Sequence, residues 1–273
     1  MTPATDRSRA FHKLHQSGCF VIPNPWDVGS ARVLAQLGFP ALATTSSGFA
    51  WSLGRPDHNH VSLNEALTHF RSIAESVDVP VNADFEGGFA IEPAGVGANV
   101  AAATTTGIAG LSIEDSTGDP SNPLFDFALA VERIHAARQA IDESGTGVVL
   151  TGRSEGFIVG RPDLKETIRR LIAYSGAGSD CLFAPGIRSI PDIVMVVKAV
   201  APKPVNVLVG GDFATVKALA DAGVRRISVG GALARVAWTG FLQAATEIAQ
   251  QGTFTYLGRA LPFPEVNGLF GRT

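Results

Sequence analysis

Residues 79–88 read Val-Pro-Val-Asn-Ala-Asp-Phe-Glu-Gly-Gly, and residues 106–115 read Thr-Gly-Ile-Ala-Gly-Leu-Ser-Ile-Glu-Asp. Each contains a short apolar run that turns acidic at its C-terminal end. Between them, 94–105 is Ala-rich and reads as a helix, and Gly107 just past its end can take the left-handed conformation that caps it. Strand, helix and strand thus follow one another, with the polar residues at the same end of both strands.

The same unit recurs along the chain. Strand-like runs lie at 20–25, 41–46, 79–85, 110–114, 148–153, 181–185, 204–209 and 226–229, mostly bounded by Gly, Pro or Asp. Helical patterns lie between them. Ser62 and Glu65 have the spacing of a capping box, with Leu67, Phe70 and Ile73 behind them. Further helices are expected over 127–143, 163–176, 189–200, 213–222 and 232–251. Eight β–α units predict a closed parallel (β/α)8 barrel of the TIM type with an outer ring of helices. The competing arrangement is an open doubly wound sheet, but no GxGxxG follows the first strand. No linker or break in composition divides the chain, so residues 1–273 are expected to form one domain, with a short C-terminal tail from about 250.

Composition agrees. Hydrophobic residues make up 45% and charged residues 17% of the 273, which suits strands buried on both faces and argues against disorder. The net charge of −3 comes with no basic run, so nucleic acid is not an expected partner. No apolar stretch reaches the roughly 18 residues of a membrane span, and the polar N-terminus lacks a signal-peptide core. Two cysteines, Cys19 and Cys181, make no disulfide framework, and both fall at the end of the strands opposite the acidic residues. A cytoplasmic location is expected.

In a barrel, functional groups gather where strands end. Asp84 and Glu86 are two apart and would share a face of a regular strand, and Glu114 ends the next strand. Three carboxylates at one mouth repel one another unless a cation lies among them; hard oxygen donors suit Mg²⁺ or Mn²⁺, and the lack of His or Cys argues against zinc. Taken singly, each could be a solvated loop carboxylate. Gly87 and Gly88 would allow a ligand close to the backbone. Arg153 ends the fifth strand and could either grip a carboxylate or form an internal ion pair with Glu155 or Glu114. Ser46, Ser47 and Gly48 either offer hydroxyl and N–H donors to an anion or form an ordinary polar turn. His58 and His60 read as solvated loop residues. Gly210-Gly211 and Gly230-Gly231 follow the last two strands, where barrels often bind phosphate.

The run Asn82-Ala83-Asp84-Phe85-Glu86-Gly87-Gly88-Phe89 resembles the acidic Asp-x-Asp-x-Gly-x-Gly signature of the isocitrate lyase/phosphoenolpyruvate mutase superfamily. The order of Ser47-Gly48, Asp57, 110–115 and Arg153-Ser154-Glu155 resembles it too, over roughly residues 10–250. The resemblance implies Mg²⁺ held at Asp84 and, directly or through water, at Asp57, Glu86 and Glu114. It implies a substrate carboxylate near Ser46, Ser47 and Gly48, with Arg153 at the substrate. It also implies homo-oligomers, often tetramers (dimers of dimers), in which the last helix is swapped between subunits.

Two departures matter. Glu86 replaces the usual second Asp. After Glu114, where thiol-dependent lyases of this superfamily carry a Lys-(Lys/Arg)-Cys-Gly-His loop, the chain reads Asp-Ser-Thr-Gly-Asp-Pro-Ser-Asn-Pro, without Cys, Lys or His. The resulting expectation is a Mg-dependent enzyme that cleaves a C–C bond of a 2-oxo or 2-hydroxy dicarboxylic acid through a metal-stabilised enolate, with Arg153, Glu114 and Asp57 as catalytic residues. The alternatives are a mutase or hydrolase acting on a carbon–phosphorus bond, and a non-catalytic metabolite-binding barrel.

Overall fold

A computed structural model describes residues 3–58 and 60–271 of the chain. Eight parallel strands form one sheet in the order β1-β8-β7-β6-β5-β4-β3-β2. They are β1 (Phe20–Ile22), β2 (Leu42–Ala43), β3 (Val81–Asp84), β4 (Gly110–Glu114), β5 (Val149–Arg153), β6 (Cys181–Phe183), β7 (Val205–Leu208) and β8 (Arg226–Ser228). Because β1 pairs with β8, the sheet curls on itself. The ring is completed between β1 and β2: the Ala43 N–H donates to the Pro23 carbonyl at 3.0 Å, and the Asn24 amide donates to the Thr44 carbonyl at 2.9 Å. Asn24 Oδ1 also accepts the N–H groups of Val229 and Gly230. One side chain therefore ties together the ends of β1, β2 and β8. This is the TIM-type barrel that the alternating pattern predicts.

The helices are α1 (Pro3–Leu14), α2 (Val28–Gln36), α3 (Ser46–Ser52), α4 (Leu63–Ser76), α5 (Pro93–Thr104), α6 (Phe127–Ser144), α7 (Leu164–Gly176), α8 (Ile190–Val200), α9 (Val216–Asp221), α10 (Ala232–Gln251) and α11 (Phe263–Gly268), with a 3₁₀ turn at Thr255–Arg259. Several begin on a side-chain cap. Asp27 and Ser30 close a capping box on α2, and Ser62 and Glu65 close the expected one on α4. The main core lies between strands and helices and is built from Val, Ile, Leu, Ala and Phe.

The sequence reading needs three corrections in the fold. α1 was not expected, because its charged residues mask a single apolar side: Phe11 is fully buried and packs with Phe20, Ala41, Ala109 and Val149 at the N-terminal end of the barrel. The second strand stops at Ala43 rather than at residue 46, because the Thr45 hydroxyl accepts the Gly48 N–H and starts α3. The first strand likewise ends at Ile22, since Pro23 and Pro25 interrupt the ladder. The C-terminal tail carries the 3₁₀ turn and α11.

α10 is unusual. Only Ala234 of its 20 residues is buried, while Val236, Trp238, Phe241 and Leu242 are exposed. No helix among the described residues is long and apolar enough to cross a membrane.

Candidate active site

Parallel pairing sets the site. Glu114 and Arg153 are register partners in β4 and β5, and Asp84 is opposite Ser112 in β3 and β4. Alternation then turns Asp84, Glu114 and Arg153 into the barrel at its C-terminal end. They line a cavity of about 230 Å³ together with Ser46, Ser47, Asp57, Glu86 and Glu155.

Arg153 is the centre of this group. Its Nη1 lies 3.2 Å from Asp84 and 3.1 Å from Glu114, and its Nε is in close contact with Glu155. The guanidinium thus faces the cavity and is also ion-paired. The two readings of the sequence describe the same side chain.

The charges do not balance. Asp84, Glu114 and Glu155 contact one guanidinium, and Glu86 adds a fourth carboxylate to the cavity wall. Burial pushes the Glu114 carboxyl well above the usual range; Arg153 pulls it back, and Glu155, Asp84 and Glu86 push it further up. Burial likewise raises Glu155, against the pull of Arg153. Hard oxygen donors with surplus negative charge suit a divalent cation. Yet among the described residues no three His, Cys, Asp or Glu side chains form a ready-made metal cluster. The expected convergence of three carboxylates on one ion is therefore not preassembled.

Each expected residue has a definite place. Asp84 accepts the Ser46 N–H at 2.9 Å, and its own N–H donates to the Thr44 hydroxyl at 2.9 Å. Glu86 reaches the cavity by a different route from the one expected. β3 ends at Asp84, and Glu86 has a left-handed φ of 45°, so the backbone turn, not strand alternation, brings both acids to one cavity. Ser47 contacts the Thr45 hydroxyl at 3.0 Å. Gly48 does not line the cavity: its N–H is bound by Thr45, and a Cβ there would meet Thr45 and Trp26 at 2.7 and 2.9 Å, so it is a packing glycine. Gly87 and Gly88 do not line it either. Gly88 has a φ of 77° and is packed against Val96, so these glycines shape the loop rather than admit a ligand. Asp57 and His58 lie on the cavity wall, which places His58 nearer the site than its loop position suggested. Gly230 and Gly231 also line it, whereas Gly210 and Gly211 do not.

The supporting residues were less visible in the sequence. Asp115 is buried behind the cavity. Its carboxylate accepts the Glu155 N–H at 2.7 Å, the Tyr174 hydroxyl at 2.6 Å and an Arg170 N–H at 3.2 Å. It clamps the ends of β4 and β5 to α7. Its signal was its place next to Glu114, which alternation turns to the opposite face. Arg133 of α6 donates to the carbonyls of Gly87 and Ala90 and lies over the Phe125 ring, holding the turn that carries Glu86. An arginine in the buried stripe with Ala130, Ile134 and Ala137 was its signal.

The segment after Glu114 folds back on itself. Ser116 bridges Leu124, and Thr117 binds the carbonyls of Pro123 and Asn122. None of residues 115–123 lines the cavity.

Residues 11–249 match the phosphoenolpyruvate phosphomutase family. The fold superposes with a TM-score of 0.94 on a candidate lyase/mutase from Burkholderia cenocepacia J2315, at 44% identity over 98% of this chain and 97% of that one. An uncharacterized protein of Mycobacterium tuberculosis H37Rv is 33% identical over 94% of each chain. The oxaloacetate decarboxylase of Bradyrhizobium diazoefficiens is 30% identical over 67% of this chain and 64% of its own length.

Proposed function

The chain belongs to the phosphoenolpyruvate phosphomutase family, within the isocitrate lyase/phosphoenolpyruvate mutase superfamily, and from that premise we propose that it is a carbon–carbon lyase acting on a 2-oxo dicarboxylic acid, with oxaloacetate decarboxylation as its reaction. The observation that carries this reading is Arg153, held between Asp84 and Glu114 over a cavity that the 115–123 segment does not enter.

The roles follow from the geometry. Ser46 and Ser47 line the cavity, and their hydroxyls would donate to the substrate carboxylate next to the ketone. When the C3–C4 bond of oxaloacetate breaks, its electron pair moves into the C2–C3 bond and carbon dioxide leaves. Negative charge then grows on the C2 oxygen, and Arg153 supplies a buried guanidinium toward it. Such a contact is worth roughly 3 kcal/mol of barrier, about a hundredfold in rate. Protonation at C3 gives pyruvate and needs no thiol, which suits a loop without Cys, Lys or His. Asp84, Glu86 and Glu114, with Asp57 beside them, are the residues that would hold Mg²⁺ or Mn²⁺. A cation there supplies Lewis-acid stabilisation of the enolate charge.

The test is a substrate panel with the purified full-length chain and Mg²⁺. Oxaloacetate is expected to yield pyruvate and carbon dioxide, in a reaction suppressed by EDTA. Asp84→Ala is expected to lose at least about a hundredfold in kcat while its circular dichroism is kept. Full activity in that variant, with metal binding intact, overturns the site. Phosphate release from phosphonopyruvate without decarboxylation moves the reaction to a carbon–phosphorus bond. Tight oxalate binding with no turnover identifies a metabolite-binding barrel.

A further inference from the structure

Below the acidic mouth, the inside of the barrel is not filled in the usual way. TIM-type barrels are packed with layers of Val, Ile and Leu. Here the inward positions one layer down include Ala43, Asn82, Ser112, Thr151, Asn206 and Ser228, which are small or polar. The cavity continues past most of them, and Arg226 lines its lower part.

Arg226 is only 3% exposed and opens β8 at the N-terminal end of the barrel. Its Nε donates to Asn206 Oδ1 at 2.9 Å, and its Nη2 donates to the Thr151 hydroxyl at 3.0 Å. Its Nη1 lies 3.3 Å from His15 Nε2. His15 Nδ1 is 2.8 Å from the Phe11 carbonyl, which can only accept, so Nδ1 carries the proton and Nε2 accepts from Arg226. Burial, and then Arg226, push His15 down to about 3, which keeps it neutral. Cys181, whose thiol is pushed up by burial, is also neutral there. All these partners lack charge, and they take three of the five N–H groups that a guanidinium offers. A buried ion without a counter-ion is expensive. The open part of the cavity is where a counter-ion can sit.

We propose that the lower shaft of the barrel binds a small monoanion, a halide ion or a carboxylate group, on Arg226, with Ser228, Asn206 and Ser112 lining the pocket around it. The site lies at the foot of the cavity, below the acidic mouth, and it does not depend on which reaction the mouth performs. Its ligand neutralises the Arg226 charge and links anion concentration to the stability of the fold.

The test uses the full-length chain. Thermal unfolding is followed at constant ionic strength in sodium bromide, sodium formate and sodium gluconate, the last a bulky, polyhydroxylated anion. The expected result is a Tm higher by about 3 °C in bromide or formate at roughly tenfold the dissociation constant. The bromide and formate arms tell a halide from a carboxylate site. The increment is expected to vanish in Arg226→Met. Should that variant not fold, anomalous diffraction from wild-type crystals grown in bromide decides instead, with a peak expected beside the Arg226 guanidinium. A Tm that follows ionic strength alone, an anion-specific rise kept in folded Arg226→Met, or a bromide peak without any rise in Tm, which is binding at crystal concentration only, overturns the proposal.

Discussion

Glu114 ends β4 with its carboxylate 3.1 Å from Arg153, and Asp84 and Glu155 contact the same guanidinium. Its folded-state pKa is raised, so the sign of its linkage is opposite to that of an ordinary salt-bridged carboxylate. Well below the ordinary value of 4.5, folded and unfolded chains are both protonated. As the pH rises above that, the unfolded chain releases the proton first and the folded one keeps it, so stability falls. Glu155, also raised, adds to the same fall. The buried neutral His15 and His69 work the other way below about pH 6.5, so the effect is read as the difference between the metal-free wild type and a variant that cannot titrate at residue 114. Glu114→Gln is expected to lessen the fall and to have a higher Tm than the wild type at pH 8 in EDTA, yet to lose metal-dependent turnover. A variant that is less stable than the wild type at pH 8 in EDTA would show that Glu114 is a net structural ion pair. A stabilising change that destroys function is the usual mark of a site whose charges are held for a ligand.

At the level of elements, the site depends on how β4 and β5 are locked to α7 and how α6 holds the turn after β3. The Asp115 carboxylate gathers the Tyr174 hydroxyl, Arg170 and the backbone N–H of Glu155. Tyr174→Phe removes one hydrogen bond to a buried charge and is expected to cost about 1.5–3 kcal/mol, read from urea unfolding. It is also expected to lower kcat, because the strand ends that carry Glu114 and Arg153 lose part of their clamp. A change in stability below about 0.5 kcal/mol would mean that Arg170 and the backbone hold Asp115 without the tyrosine.

For the whole molecule, the C-terminal region stands out. α10 buries one residue, and Phe241, Phe254, Leu261 and Phe263 are exposed, with Phe263 at 77%. Isolated exposed apolar residues are ordinary, but a continuous set on one helix and its extension marks an interaction surface. The swapped last helix that the family resemblance implies would cover it. The chain is expected to run as a dimer or larger assembly in light scattering at micromolar concentration. Trp238→Glu combined with Phe241→Glu is expected to shift it toward monomer, and a monomeric wild type would remove the swap.

The strand–helix alternation, the capping box at Ser62, the acidic strand ends and the lack of a thiol loop were all legible in the residues, because alternation, helical period and side-chain chemistry are local properties. The barrel follows from eight such units. What needed the folded chain was every feature in which one element meets another. The left-handed turn at Glu86 replaces strand alternation as the reason that two acids share a cavity. Gly48 turns out to be confined by Trp26, and Arg153 to be shared by acids from three segments. Asp115 and Arg133 find their partners 40 or more residues away, which only the packing of α6 and α7 brings to them. Arg226 reads as an unremarkable first residue of a strand. Only closure of the sheet, which brings β8 beside β1 and turns alternate side chains inward, buries its charge among neutral neighbours at the foot of the cavity.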